Sequence, residues 1–151
     1  MNIPPLENSS PVIPPLTLMV SLLIFFDWVP TSLNRNILLI APKDRLPNTL
    51  IHGILGIIFF VGQFYHIFVL QILCALWYSI LLATVITNWW IPYLLNRHPG
   101  TISPDVFREL YSKNLTILPK IRNHPIVPGL QHILIHVSIL LTVIESWKVV
   151  L

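Results

Sequence analysis

Of the 151 residues, 54% are hydrophobic and only 10% carry charge, against roughly 25% charged in a soluble domain. So few polar side chains cannot cover a water-facing globule, and the surplus apolar surface has to face lipid. The length suits one domain, and the single Cys74 excludes a disulfide framework within the chain. The net charge of +3 is set by basic residues confined to two stretches, a distribution that reads as membrane topology and not as nucleic-acid binding.

The first fifteen residues hold five prolines and no Lys or Arg. They lack the positive start of a secretory signal peptide, and residues 1–12 are expected to form an extended tail. A first apolar span is expected at about 13–29. From Thr49 to Trp90 there is no charged residue in 42 positions. As one helix this run would reach about 63 Å, twice a hydrocarbon core of about 30 Å, so it must turn back on itself. The least apolar point, Gly62-Gln63-Phe64-Tyr65-His66, suits the turn, giving spans at about 48–62 and 66–90. A last span is expected at about 129–150, opened by Pro128 and closed by Trp147 and Lys148.

Charge supports this count. The stretches 30–47 and 91–128 carry eight of the nine Lys and Arg residues, and an even number of intervening spans puts both on one side, which the positive-inside rule makes cytoplasmic. Both termini then lie outside. Trp28, Trp89, Trp90 and Tyr93 fall at the inner interface, and Tyr65 and Trp147 at the outer one. The expected fold is thus all-α: an integral membrane four-helix bundle in the plasma (inner) membrane, a single domain over residues 1–151. Within the third loop, Ser103 can cap a helix that starts at Pro104, with Asp105 and Glu109 in its early turns. Val106, Phe107, Leu110 and Tyr111 would share its apolar face, so a short amphipathic helix lies on the cytoplasmic surface or caps the bundle. The rest of that loop, with Pro119, Pro125 and Pro128, is expected to be extended.

Candidate chemistry gathers at the cytoplasmic rim. His132 and His136, four residues apart, point the same way from the last span, a spacing that suits two imidazoles on one ion. His52 and Asp27 fall at similar depth on two other spans, and together the four could form a shell for a divalent metal. A haem would need His52 opposite His132 or His136. The plainer reading is interhelical hydrogen bonding, since ionisable residues within spans usually face the bundle interior. Gln131, Ser138 and Glu145, spaced by sevens, make a polar edge that an ion path or a neighbouring helix could use. Trp77, Thr84 and Asn88, with Gly53 and Gly56, read as packing positions. His98 and His124 read as ordinary loop residues. There is no phosphate-binding Gly-rich loop, CxxC, GxSxG or HExxH, and the glycosylation-type patterns at Asn8 and Asn114 are assigned no function.

The segment NWWIPYLLNRHPG from Asn88, then Tyr111, then LTILPKIRNHPIVPGLQHILIH up to His136 resembles a set of small bacterial membrane proteins. These carry an Asn-Trp-Trp-x-Pro-Tyr segment, a Leu-Pro turn and a final His-x-x-x-His helix. The resemblance covers about a third of the chain. It implies a bacterial inner-membrane location and singles out Asn88, Trp89, Trp90, Pro92, Tyr93, Pro119, His132 and His136, but it implies no activity. Where that set has Pro-Asn before the last helix, this chain has Pro128-Gly129.

The leading expectation is a non-enzymatic membrane protein that binds a partner or ligand through its cytoplasmic rim, as a homo-oligomer or an accessory subunit of another membrane protein. Its alternatives are a metal-dependent membrane enzyme or haem protein using the histidine cluster, and an oligomeric transporter or channel for which Glu145 is the one favourable feature.

Overall fold

A computed structural model of the chain describes residues 10–121 and 124–151, and among these residues every regular element is a helix. Residues 1–9 of the expected tail lie outside the described residues. Ser10 to Val12 form a turn and not an extended arm: the Ser10 carbonyl accepts from the Ile13 amide, and Val12 is fully buried.

Helix α1, Ile13–Trp28, starts with prolines in its first turn, where a missing N–H costs nothing. It stops before Pro30, which disfavours helical geometry at Val29. A 3-10 turn, Arg35–Leu39, follows in the first loop. Helix α2 runs Pro42–Phe64, six residues earlier than expected. Pro42 presets the helical φ at its first position and Asp44 complements the N-terminal dipole. Pro47, the sixth residue, lies inside the helix.

The reversal also comes later than expected. Gly62 and Gln63 are still helical, and the chain turns at Tyr65 to Ile67 with His66 at a φ of 54°. The Ile67 amide bonds the Gly62 carbonyl at 2.8 Å and the His66 amide the Gln63 carbonyl at 3.4 Å, the pattern that closes a helix through one left-handed residue. Gly62 serves the hairpin in another way. A Cβ there would run into the Cβ of Leu70, so its absence lets the returning helix lie close.

Helix α3 continues from Phe68 to Leu95, five residues past the expected end at Trp90. Pro92 does not break it because the preceding turn, Ile86–Trp90, is widened to π geometry, with the Ile91 amide bonded to the Ile86 carbonyl. Asn96, in the left-handed region, ends it. The expected third-loop helix exists as α4, residues 104–111: Ser103 accepts from the Val106 amide at 3.3 Å, and the second half is another π turn. Phe107 is its buried residue and Val106 faces outward, so the apolar face is narrower than the sequence suggests. Helix α5, Leu130–Val150, agrees with expectation to within one residue.

The four long helices pack in a closed cycle, α1 against α2 and α5, and α3 against α2 and α5. Leu16, Met19, Phe26, Phe59, Tyr78 and Ile139 interlock at its centre. Helices α2, α3 and α5 are each long and apolar enough to cross a membrane, and α1 is a shorter apolar helix. Their outward faces carry exposed Ile54, Ile57, Phe68, Ile80, Val137 and Leu140, an apolar outside far larger than a water-soluble monomer exposes. A second cluster, Trp89, Tyr93, Phe107, Ile126 and Val127, lies beneath the third loop at the end where α1 finishes and α5 begins, here called the rim.

Two neighbouring glycines of α2 make a paired test of this packing. A Cβ at Gly56 would stand 2.7 Å from Val20 Cγ2, whereas at Gly53 it would meet nothing within 4 Å. Val20 is β-branched and stiff on its helix. Gly56→Ala is therefore expected to lower unfolding stability in detergent by about 1–3 kcal/mol, and Gly53→Ala to leave it unchanged or raise it. Equal losses at both positions would contradict the α1–α2 contact.

Candidate functional site

The rim is built by asparagines. Asn34 Nδ2 donates to the Phe26 carbonyl at 2.7 Å and to the Val29 carbonyl at 3.0 Å, tying the first loop to the end of α1. The Asn36 amide donates to Asn114 Oδ1 at 3.1 Å, and Asn114 Nδ2 donates to Asn36 Oδ1 at 2.8 Å and reaches Gln131 Oε1 at 3.5 Å, joining both loops to α5. Asn88 Oδ1 accepts from the amides of Thr101 and Ile102 at 2.7 and 3.2 Å. The Tyr93 hydroxyl donates to the Pro119 carbonyl, and the Tyr93 carbonyl lies 2.6 Å from His124 Nδ1. Buried polar groups need partners, and these side chains supply them to loop backbone that has no ladder of its own.

Of the residues expected as an interaction rim, Asn88, Trp89 and Tyr93 are buried and Trp90 is half-buried. Asn88 and Tyr93 hold the third loop, and Trp89 packs edge-on against Phe107 and Tyr111. Burial pushes the Tyr111 phenol above its ordinary 10, so its hydroxyl keeps its proton at physiological pH.

Between these walls lies a cavity of about 380 Å³ that collects the sequence-predicted residues: Asp27, His52, His132 and His136 all line it, together with Trp89 and Tyr111. His52 comes from α2 and the other two histidines from α5. His132 lies against the Trp89 ring at 3.7 Å between centroids, and His136 stands 6.1 Å from both Trp89 and Trp90. All three imidazoles are more than nine-tenths buried, and Nδ1 of each is sealed without a hydrogen-bond partner among the described residues. The mouth adds Asp44, Arg45 and Asn48, and the floor is aliphatic, with Leu23, Val85 and Ile135.

The four residues share a cavity. Among the described residues no three His, Cys, Asp or Glu side chains converge closely enough to hold a metal. The His132 and His136 rings are 5.9 Å apart, a separation that two imidazoles on one ion can have, with Trp89 against the first. The Asp27 carboxylate is engaged elsewhere: it accepts from Asn48 Nδ2 at 2.9 Å and Thr49 Oγ1 at 3.0 Å, while Arg45 bonds its carbonyl at 2.9 Å and lies over the Trp28 ring. Asp27 is a clasp between the end of α1 and the start of α2.

Glu145 does not continue a polar edge. A heptad spacing drifts around a straight helix by about 20° per repeat, and Glu145 ends outside the core, paired with Lys148 at 2.8 Å. The buried polar line of α5 is Ser138, Thr142 and Ser146, at helical i, i+4 spacing. Ser138 and Thr142 each bond a carbonyl of their own helix. Asn34, Asn36 and Asn114, of which Asn36 lines the cavity, carried no sequence signal beyond being asparagines in loops.

No protein family, no curated protein and no solved structure matches the chain.

Asn114 offers the sharpest test of the wall. Asn114→Ala strands both the amide and the side chain of Asn36 in a buried setting, at about 1–3 kcal/mol for each unmet group. Denaturant unfolding in detergent should show a loss of about 2–6 kcal/mol, with amide exchange rising at Asn36. Wild-type stability in this variant would mean that the two loops are not joined there.

Proposed function

We propose that the chain is a four-span membrane protein, loops cytoplasmic and termini outside, which binds a small amphiphilic ligand in the rim cavity and serves as a binding module or accessory subunit. Length and composition of α2, α3 and α5, with the exposed apolar faces of all four long helices, support insertion. At 28 residues α3 is about 42 Å long, so its last turns extend past a hydrocarbon core of about 30 Å into the headgroup layer. The α1 helix reaches about 24 Å at 16 residues, and the Ser10–Val12 turn lengthens its buried part. Concentration of Lys and Arg in the two loops supports the orientation.

The binding reading is carried by one observation: three imidazoles, those of His52, His132 and His136, line a single cavity together with aliphatic side chains and with Asp44, Arg45 and Asn48. An imidazole can donate or accept a hydrogen bond, so three of them around one space suit a ligand with donors and acceptors at one end. Few polar groups set in an apolar pocket are the common form of small-molecule sites.

Two measurements test this. Because Cys74 is buried, single cysteines can be labelled with an impermeant maleimide. Arg35→Cys and Lys113→Cys should react from the cytoplasmic side and Lys148→Cys from the other; Arg35→Cys and Lys113→Cys reacting from opposite sides would remove the four-span topology. Native mass spectrometry of the protein released from its own lipid should show a small-molecule adduct whose affinity falls at least about ten-fold in His136→Leu, the cost of one lost buried hydrogen bond. An adduct retained unchanged in His52→Leu, His132→Leu and His136→Leu alike would place binding elsewhere.

A further inference from the structure

On the outer side of the third loop, away from the histidines, a groove of about 480 Å³ runs between α4 and the segment leading into α5. Arg108 and Lys120 line it with the hydroxyls of Ser112 and Thr116, and among the described residues no acidic side chain does. Its remaining wall is apolar, with Phe107, Leu118 and Val127. We propose that this groove is a binding site for the phosphate headgroup of an anionic phospholipid of the cytoplasmic leaflet. The proposal rests on the four-span topology and not on the histidine cavity.

Depth is the first argument. Val127 lies three residues before α5 begins. The Leu130 amide bonds the Leu115 carbonyl at 2.8 Å, and the Leu115 amide reaches the Ser32 carbonyl at 3.3 Å. Residues 115 and 116 therefore sit at the level where α5 enters the bilayer, in the headgroup layer. Charge is the second. The only ion pair Arg108 makes among the described residues is with Asp105 at 3.4 Å, both side chains largely in solvent, and such a pair neutralises little. Lys120 has no ion pair among the described residues. Two cations and a free Thr116 hydroxyl can all donate to phosphate oxygens, while Ser112 is turned to the Arg108 carbonyl at 2.6 Å.

Preorganisation is the third. The Tyr93 bond to the Pro119 carbonyl fixes the backbone beside Lys120, and the Ser103 cap fixes the helix that carries Arg108. The groove walls are thus set before any ligand arrives. An apolar wall next to two cations fits a lipid, whose glycerol and upper acyl carbons would lie against Phe107 and Val127, better than free phosphate, which has no apolar part. Basic sites at the cytoplasmic ends of spans take anionic headgroups by this chemistry.

The test uses the full-length chain in nanodiscs of phosphatidylcholine containing a minor fraction of phosphatidylglycerol, followed by native mass spectrometry of retained lipid. Wild type should retain phosphatidylglycerol over phosphatidylcholine. The double variant Arg108→Gln with Lys120→Gln should lose that preference roughly ten-fold, and Arg35→Gln with Lys43→Gln, the same charge change on the same side, should keep it. Both variants losing it equally would mean diffuse leaflet attraction and overturn the site. No preference in wild type, or millimolar inorganic phosphate protecting the lipid-free protein in detergent as well as phosphatidylglycerol does, would also overturn it. Failure of the chain to enter nanodiscs at all would instead count against the membrane topology, and with it this proposal.

Discussion

The backward turn at Tyr65 to Ile67 is the constraint on which the other features depend. The uncharged run from Thr49 to Trp90 has no polar side chain strong enough to stop it, so the turn is made by backbone: His66 in the left-handed region, two capping hydrogen bonds, and a Gly62 that lets Leu70 return at close range. With the run folded there, both ends of the α2–α3 hairpin lie at the rim. His52 then stands level with His132 and His136, and Trp89 comes within stacking distance of His132. A single helix over the same residues would separate His52 from Trp89 by the length of the molecule.

At the rim the chain meets a second constraint, which is that irregular backbone carries donors and acceptors without neighbours in a ladder. Long loops over an apolar bundle would be unstable if those groups were left unmet. Asn34, Asn36, Asn88 and Asn114 meet them, each making bonds to more than one group. Aromatic side chains then fill the space so framed, and α4 is drawn onto the bundle through Phe107 and Tyr111 instead of lying free. The same framework that seals the loops also leaves the cavity, because asparagine bridges hold the walls at fixed separation.

Much of this was legible in the residues, and the pattern of what was not is physical. Composition gave the all-helical, apolar character, and the ends of α1 and α5 were readable because prolines, Gly129 and the change in hydropathy coincide there. The ends of α2 and α3 were not, because α2 begins in polar sequence ahead of the apolar stretch and α3 runs on through Ile91 to Leu95 despite Pro92. Pro42 starts one early, and a π turn carries the other past Pro92. Hydropathy reports where a helix is apolar and not where its hydrogen bonds stop. The shared position of Asp27, His52, His132 and His136 followed from depth alone, since 1.5 Å per residue fixes height along a helix. Their separation around the cavity did not, because it depends on rotation of each helix and on Trp89 standing beside His132. The asparagine bridges between loops could not be read at all: pairing across 78 positions of sequence leaves no local periodicity.

The contrast between the asparagines and the histidines argues for function. Both are polar, both are buried at the rim, and both face the same cost when unpaired. The chain satisfies its asparagines completely enough to join three elements, yet sets His52, His132 and His136 around one cavity with Nδ1 of each unbonded among the described residues. A fold that needed those positions only for packing could fill them with aliphatic side chains of similar volume, as it does at Leu23, Val85 and Ile135 on the same cavity floor. Trp89 lies against His132, and the Asp27 carboxylate is already engaged by Asn48 and Thr49, which supports the proposal that the imidazoles meet separate atoms of a guest with several hydrogen-bonding groups.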